Sequence, residues 1–230
     1  MDINKSLIIP CKDEGKEFLN ILGSFFDHIK PDTEIIVVFD DIEDSTYKTL
    51  KNSELKPRII INDIGPGPTQ AIKSGIKASY GNNVCIAMGD GSDDPTQVED
   101  LLFLLERGCS VAVASRYSRG GQFVGEKNLK YFLSKYAGKV LNSFFFIGTK
   151  DPTSMFKAFS KSFLEDVEIE SDNGFTLGLE MVVKAKLNKK KIGEIPTIWI
   201  DREFGESKFN MKKYLPSYLY WVFRLIIRKK

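Results

Sequence analysis

Five short apolar runs, each followed by a polar turn, constrain what this chain can fold into more than any other feature. They are SLIIP at 6–10, EIIVVFD at 34–40, RIIIN at 58–62, VCIAM at 84–88 and VAVAS at 111–115. Each is apolar at consecutive positions, as strands buried on both faces of a parallel sheet are. Between them lie helix-length stretches at 14–29, 45–52, 69–79 and 95–107. In the third, Ala71, Ile72, Gly75, Ile76 and Ser79 share one face at helical spacing. Pro95 suits a first helical turn with Asp94 as its cap, and Asp44 and Ser45 read as caps of the helix that follows them. Strand alternating with helix predicts an α/β domain built on a doubly wound, mostly parallel central sheet flanked by helices. The 230 residues suffice for one such domain.

In a sheet of this kind ligands bind at the carboxyl ends of the strands. The turns found there are 10–14 (PCKDE), 40–46 (DDIEDST), 89–95 (GDGSDDP) and 116–121 (RYSRGG). Three are acidic and one is basic. Carboxylates suit hard, oxygen-bound cations such as Mg²⁺ or Mn²⁺, and a metal diphosphate would bridge acidic and basic groups. Asp, Ser and Gly also cap helices and form turns after any strand, and for one cluster alone that is the simpler reading. Four clusters on one edge read as a site.

Composition narrows the class. Lys plus Arg is 33 and Asp plus Glu 31, a net charge of +2. The last 23 residues hold seven basic residues and no acidic one, which leaves 26 basic against 31 acidic in the rest. A basic bias confined to a tail argues against nucleic-acid binding, which spreads cations over a folded face. No apolar run is long enough to span a bilayer, and 1–10 has no basic stretch leading into a long apolar core, so neither a transmembrane helix nor a signal peptide is expected. Cys11, Cys85 and Cys109 are scattered and odd in number, so no disulfide and a reducing compartment are expected.

The same order of segments resembles the family 2 glycosyltransferases of the GT-A fold. Within them it is most similar to the polyprenyl-phosphate glycosyltransferases of the dolichol-phosphate mannose synthase type. The residues that carry the likeness are IIPCKDE, VVFDDIEDST, GPGPTQAIKSGIKAS, MGDGSDDP, ASRYSRGG, DPTSMFKAF, Glu180 in LGLEM, and EIPTIWIDREFGESK. They run from about residue 6 to 208 in the family's order, and the late EIP strand with DREFGESK discriminates most. The resemblance implies an inverting transferase that moves a sugar from a GDP- or UDP-sugar to a polyprenyl phosphate, with Mg²⁺ or Mn²⁺. It implies that Glu14, Asp40 and Asp41, with Pro10 of the same first turn, hold the nucleotide. It places the metal at Asp90, with Ser92 standing where the family has a second Asp and Asp93 as a further candidate. Arg116, Arg202, Ser207 and Lys208 match positions that contact phosphates, so Asp90, Arg116, Arg202 and Lys208 form the implied catalytic set. Glu180 would sit on a helix beneath the site, as a base if the acceptor is a sugar hydroxyl or as an orienting group if it is a phosphate. At 151–155 (DPTSM), Met155 replaces the family's Gly. Two alternatives stay open: transfer to a hydroxyl of a surface glycan, and a degenerate GT-A domain that binds without turnover.

The transferase domain is expected at 1–210, with 211–230 as a separate basic and aromatic helix. YLPSYLYWVFRLII at 214–227 is too short to span a bilayer. Its Tyr and Trp residues and flanking Lys and Arg suit a helix lying in the headgroup region, and hence a peripheral protein on the cytoplasmic face. Packing of this helix on the domain is the competing expectation. Phe144–Ile147 reads as core, or as a second apolar surface. His28, Arg119, Lys127 and Lys130 are expected on solvated faces.

Overall fold

The computed structural model describes residues 3–127, 129–172, 174–201 and 211–227. Along them run β1 (Lys5–Cys11), α1 (Glu17–His28), β2 (Thr33–Phe39), α2 (Ser45–Lys51), β3 (Arg58–Ile61), α3 (Pro68–Ala78), β4 (Asn83–Ile86), α4 (Val98–Glu106), β5 (Val111–Ser115), β6 (Gln122–Val124), α5 (Leu129–Phe145), β7 (Lys157–Ser160), α6 (Lys161–Asp166), α7 (Gly174–Leu187), β8 (Ile192–Pro196), β9 (Ile198–Ile200) and α8 (Met211–Ile227). All five expected strands are present. The helix expected over 95–107 divides into a 3₁₀ turn at Pro95–Gln97 and α4.

Seven strands form one sheet in the order β3-β2-β1-β4-β7-β5-β8, and β6 pairs with β9 in a small second ribbon. The large sheet is parallel except for β7, which runs antiparallel between β4 and β5. Its Lys157 pairs with Ile86 on one side and Val113 on the other. This insertion sets β4 and β5 two strands apart, with the polar turns that follow them on the same edge.

The sheet buries an apolar layer on each face. One holds Phe18, Leu22 and Phe25 of α1, spaced to fall on a single helical stripe, with Leu101, Leu102 and Leu105 of α4. The other holds Ala71 and Ile72 of α3, Leu141 of α5, Leu177 and Met181–Val183 of α7, and Trp221 and Leu225 of α8. The C-terminal helix therefore packs on the domain along one face. Its other face carries exposed Leu215, Leu219, Phe223, Ile226 and Ile227. Among the described residues no helix is long and apolar enough to cross a membrane.

Two expectations are corrected. Asp44 alone caps α2, its Oδ1 accepting from the backbone N–H of Thr46 (2.7 Å) and Tyr47 (3.3 Å), while Ser45 is the helix's first residue. Phe144 and Phe146 are not core: they are 64% and 74% exposed, and only Ile147 of that run is fully buried. The chain turns sharply there, with Phe146 at φ +51°.

Gly138 fixes how close α5 can come. A Cβ there would lie 2.1 Å from the carbonyl oxygen of Lys150 and 2.9 Å from Cδ of Pro152. Backbone cannot yield as a flexible side chain can, so Gly138→Ala is expected to cost about 1–3 kcal/mol. Thermal unfolding should show a drop of several degrees, which a Gly→Ala change at open Gly23 should not produce.

Candidate active site

The turns after β1, β2, β4 and β5 meet on one edge, and each is held by its own hydrogen bonds. Pro10 is the penultimate residue of β1. It pairs with Val38 of β2, while the β4 ladder ends at Ile8, so its missing N–H leaves no bond unmade. Asp44 ties the first two turns together, since its Oδ2 accepts from the N–H of Asp13 (2.9 Å). Thr46 Oγ1 accepts from the N–H of Gly15 (2.9 Å), which brings half-buried Glu14 to this edge. Asp40 joins three segments: its carboxylate accepts from Lys12 Nζ (3.4 Å), Asn62 Nδ2 (2.9 Å) and the N–H of Gly67 (3.0 Å). Asp41 is exposed and accepts from the N–H of Glu43 (2.9 Å).

The turn after β4 curls on itself. Gly91 takes φ +76°, a conformation glycine adopts at little cost. This lets Asp90 Oδ1 accept from both the N–H (3.1 Å) and the hydroxyl (2.6 Å) of Ser92. Asp93 points inward, its Oδ2 accepting from the N–H of Met88 (2.9 Å). Burial, reinforced by the negative charge of Asp90, pushes the Asp93 carboxyl up to about 7. Asp94 caps the 3₁₀ turn, as expected, by accepting from the N–H and the hydroxyl of Thr96.

The basic group is Arg116, at the end of β5. Its Nε and Nη2 donate to the two oxygens of Asp151 at 2.7 and 2.8 Å, and Asp151 also accepts from the Arg116 N–H at 3.0 Å. The Asp151 side chain is wholly buried. Burial works against the Arg116 charge, but the Asp151 carboxylate offsets this and holds the guanidinium above its ordinary value. Burial would likewise raise the Asp151 carboxyl, and Arg116 outweighs it and holds it below the carboxylate range. Tyr117 and Trp199 flank the guanidinium at 5.0 and 5.6 Å, and Trp199 stacks on Phe123 at 5.0 Å.

Lys157 of β7 lies under this pair, fully buried. Its Nζ donates to the carbonyls of Pro152 (3.1 Å) and Ser154, pinning the turn that carries Asp151. Burial pushes its ammonium down to about 7, with Asp151 working in the opposite direction. Sequence reasoning missed Lys157. The signal available was a lone cation inside the apolar stretch MFKAF.

Glu180 of α7 is also fully buried, but its oxygens accept from the N–H of Glu170 (2.6 Å) and Ser171 (2.8 Å) and from Lys184 Nζ (2.8 Å). It holds the 168–171 segment. Arg202, Ser207 and Lys208 lie outside the described residues. Among the described residues no three His, Cys, Asp or Glu side chains gather as a metal-ligand set. Asp90 and Ser92 nonetheless offer adjacent hard oxygens, which suits a cation that takes one or two protein ligands and fills its shell with water and phosphate.

A mostly parallel sheet interrupted by one antiparallel strand, with an acidic turn after β4 and a held arginine after β5, defines a GT-A-type glycosyltransferase. The chain belongs to glycosyl transferase family 2, whose model matches residues 6–168. It is 29% identical over 229 residues to a dolichol-phosphate mannosyltransferase of Pyrococcus furiosus, covering 96% of this chain and 63% of that one. It is 26% identical over 217 residues to a polyprenol monophosphomannose synthase of Mycolicibacterium smegmatis, covering 89% and 80%. The chain thus spans less than two thirds of the Pyrococcus relative. Its fold matches the glucosyl-3-phosphoglycerate synthase of Mycobacterium tuberculosis, solved with Mn²⁺ and uridine diphosphate, at a TM-score of 0.71 and 15% identity over 98% of this chain and 79% of that one.

Two outcomes follow from the buried charges. Asp151→Asn should cost about 3–5 kcal/mol in urea unfolding, because it leaves the Arg116 charge buried without its partner. For Lys157, the unfolded chain keeps its proton up to the ordinary lysine value of 10.5, the folded protein only up to about 7. Between these values the unfolded state binds more protons, so this group makes stability rise with pH across that window. The difference between the pH–stability curves of wild type and Lys157→Met should carry that slope.

Proposed function

We propose that this chain is an inverting hexosyltransferase that moves a sugar from a nucleoside-diphosphate donor, GDP- or UDP-linked, to a polyprenyl phosphate with Mg²⁺ or Mn²⁺. The observation that carries the reading is the meeting of Asp40, Asp90 and the Asp151-held Arg116 on one sheet edge. The two polyprenol-phosphate relatives support the acceptor class.

In this reading Glu14, Asp40 and Asp41 accept hydrogen bonds from the nucleoside hydroxyls, beside Pro10. Asp90 and Ser92 would hold the cation, and Asp93 supports their loop from within. When bound, the cation offsets the charge of the departing diphosphate. Arg116 spends Nε and Nη2 on Asp151, which leaves the donors on Nη1 for a phosphate. Arg202, Ser207 and Lys208 are assigned to phosphates by their motif alone. An acceptor phosphate oxygen attacks the anomeric carbon opposite the diphosphate. The new C–O bond forms as the old one breaks, which inverts that carbon. The acceptor is already an anion at neutral pH, so no base is needed, and the protein's task is to position two anionic partners.

The glycan-hydroxyl alternative needs a base. Glu180 suits it poorly, with both oxygens committed to the 168–171 segment and to Lys184. Residues 1–210 form the transferase domain in this reading, and 211–230 its membrane-surface helix. The protein is peripheral on the cytoplasmic face, where the unpaired thiols of Cys11, Cys85 and Cys109 suit a reducing compartment.

The test is nucleoside-diphosphate release by purified protein with Mn²⁺, a panel of GDP- and UDP-sugars, and a short polyprenyl phosphate. Release that depends on the lipid is expected from one donor class, falling about 10²–10³-fold in Asp90→Asn. Nucleotide binding without lipid-dependent release from any donor would sink the reading and favour a binding domain.

A further inference from the structure

The glycine-rich segment after β3 carries part of the family likeness, yet the reaction described above gives it no task. It begins at Asn62, whose backbone N–H donates to the carbonyl of Phe39 (2.8 Å) and so sets Asn62 beside Asp40. The Asn62 side chain then closes a ring. Its Nδ2 donates to Asp40 Oδ1 (2.9 Å) and to the carbonyl of Gly65. Its Oδ1 accepts from the N–H of Ile64 (3.1 Å) and from the hydroxyl of Ser74 on α3 (2.9 Å). Two donor hydrogens and two acceptor sites are all that a carboxamide has, so Asn62 is fully committed to this turn. The same partners fix its orientation, because a flipped amide would set its oxygen against Asp40 and the Gly65 carbonyl.

The return limb of the turn meets the other oxygen of Asp40. Gly65 and Gly67 take φ of +147° and +114°, and Pro66 and Pro68 stiffen the backbone after each of them. The Gly67 N–H is thereby brought to Asp40 Oδ2 (3.0 Å). Asp40 is thus gripped at both oxygens, with only 15% of its side chain exposed. Exposed Lys12 reaches Oδ2 at 3.4 Å, the longest of these bonds. Among the described residues Oδ1 accepts from Asn62 alone, so it keeps a lone pair for a ligand hydroxyl.

We propose that Asn62 is a positioning residue for the nucleoside of the donor: its amide aligns the Asp40 carboxylate so that the open lone pair of Oδ1 is presented to a ribose hydroxyl. Charge matters here as much as shape. An aspartate in this place would have nearly the same size, but it would turn an oxygen onto Asp40 and onto the Gly65 carbonyl and open the ring by repulsion. The inference rests on the assignment of Asp40 to the nucleoside in the function proposed above, and not on the acceptor or the transfer step.

The test is calorimetric titration of GDP and of UDP, with Mn²⁺, into the full chain as wild type, Asp40→Asn, Asn62→Asp and Ser74→Ala. Thermal unfolding checks that each variant folds. Whichever nucleotide the wild type binds is expected to bind Asp40→Asn and Asn62→Asp about tenfold more weakly at about pH 8. For Asn62→Asp the deficit should shrink toward about pH 5, because a proton shared by the two carboxylates restores the missing donor. Asp40→Asn should show no such recovery. Lys12 and Asp63, the other charged groups at this turn, are common to all four proteins. Ser74→Ala frees only the far end of the amide and should weaken binding about two- to threefold, which keeps the inference testable if Asn62→Asp fails to fold. Wild-type affinity in Asn62→Asp and Ser74→Ala, with Asp40→Asn weakened, would overturn the role of Asn62 and leave the nucleotide assignment standing. A deficit in Asn62→Asp that does not change with pH would also overturn it and reduce Asn62 to a turn former. Unchanged binding by Asp40→Asn, or no binding of either nucleotide by the wild type, would remove the nucleotide assignment and this inference with it.

Discussion

The buried ion pair between Arg116 and Asp151 is the interaction on which the rest of the site depends. Neither partner would be tolerated alone in the interior, since an unpaired buried charge costs several kcal/mol. Paired by two side-chain hydrogen bonds, they join the end of β5 to the turn that enters β7. Lys157 then fastens that turn from below through two backbone carbonyls. The antiparallel insertion of β7 makes this possible, because it drives a cation between β4 and β5 at the point where the two site turns emerge.

The acidic side of the site is organised by a different device. Asp40, Asp44 and Asp93 each use a carboxylate to hold backbone: Asp40 takes the N–H of Gly67 from a separate loop, Asp44 those of Asp13, Thr46 and Tyr47, and Asp93 that of Met88 at the start of its own turn. The turns are thereby held before any ligand arrives, which reduces what binding must spend on ordering them. In the proposed reaction little bond chemistry falls to side chains, so this preorganisation is the main contribution the fold makes.

Much of this was legible in the sequence. Continuous β-branched runs announce strands buried on both faces, and 34–40 and 111–115 need no tertiary information to be read. β7 was not legible as a strand, because it is four residues long and begins with Lys157. The placement of site residues follows from topology: polar turns after parallel strands share an edge. Their individual tasks do not follow. Asp93 and Glu180 look like open carboxylates in one dimension, and only the fold shows them turned onto Met88 and the 168–171 segment. The tail posed two competing expectations, packing or membrane contact. The structure satisfies the first with one helical face and leaves a second apolar face, because seventeen helical residues present more surface than one contact covers. Whether Phe144 and Phe146 are core or surface stayed open because four consecutive apolar residues carry no periodicity to separate an inner face from an outer one.

The central proposal is that Arg116, fixed by a buried carboxylate, turns its remaining nitrogen to a phosphate, and the lipid acceptor's phosphate is the one tested. Calorimetric titration of a short polyprenyl phosphate into wild type and Arg116→Lys tests it directly. Lysine keeps the charge and can still pair with Asp151, but it lacks the second nitrogen arm that would meet the ligand. The account expects saturable binding to the wild type, weakened about tenfold or more in the variant. Equal affinity in the two proteins would contradict it.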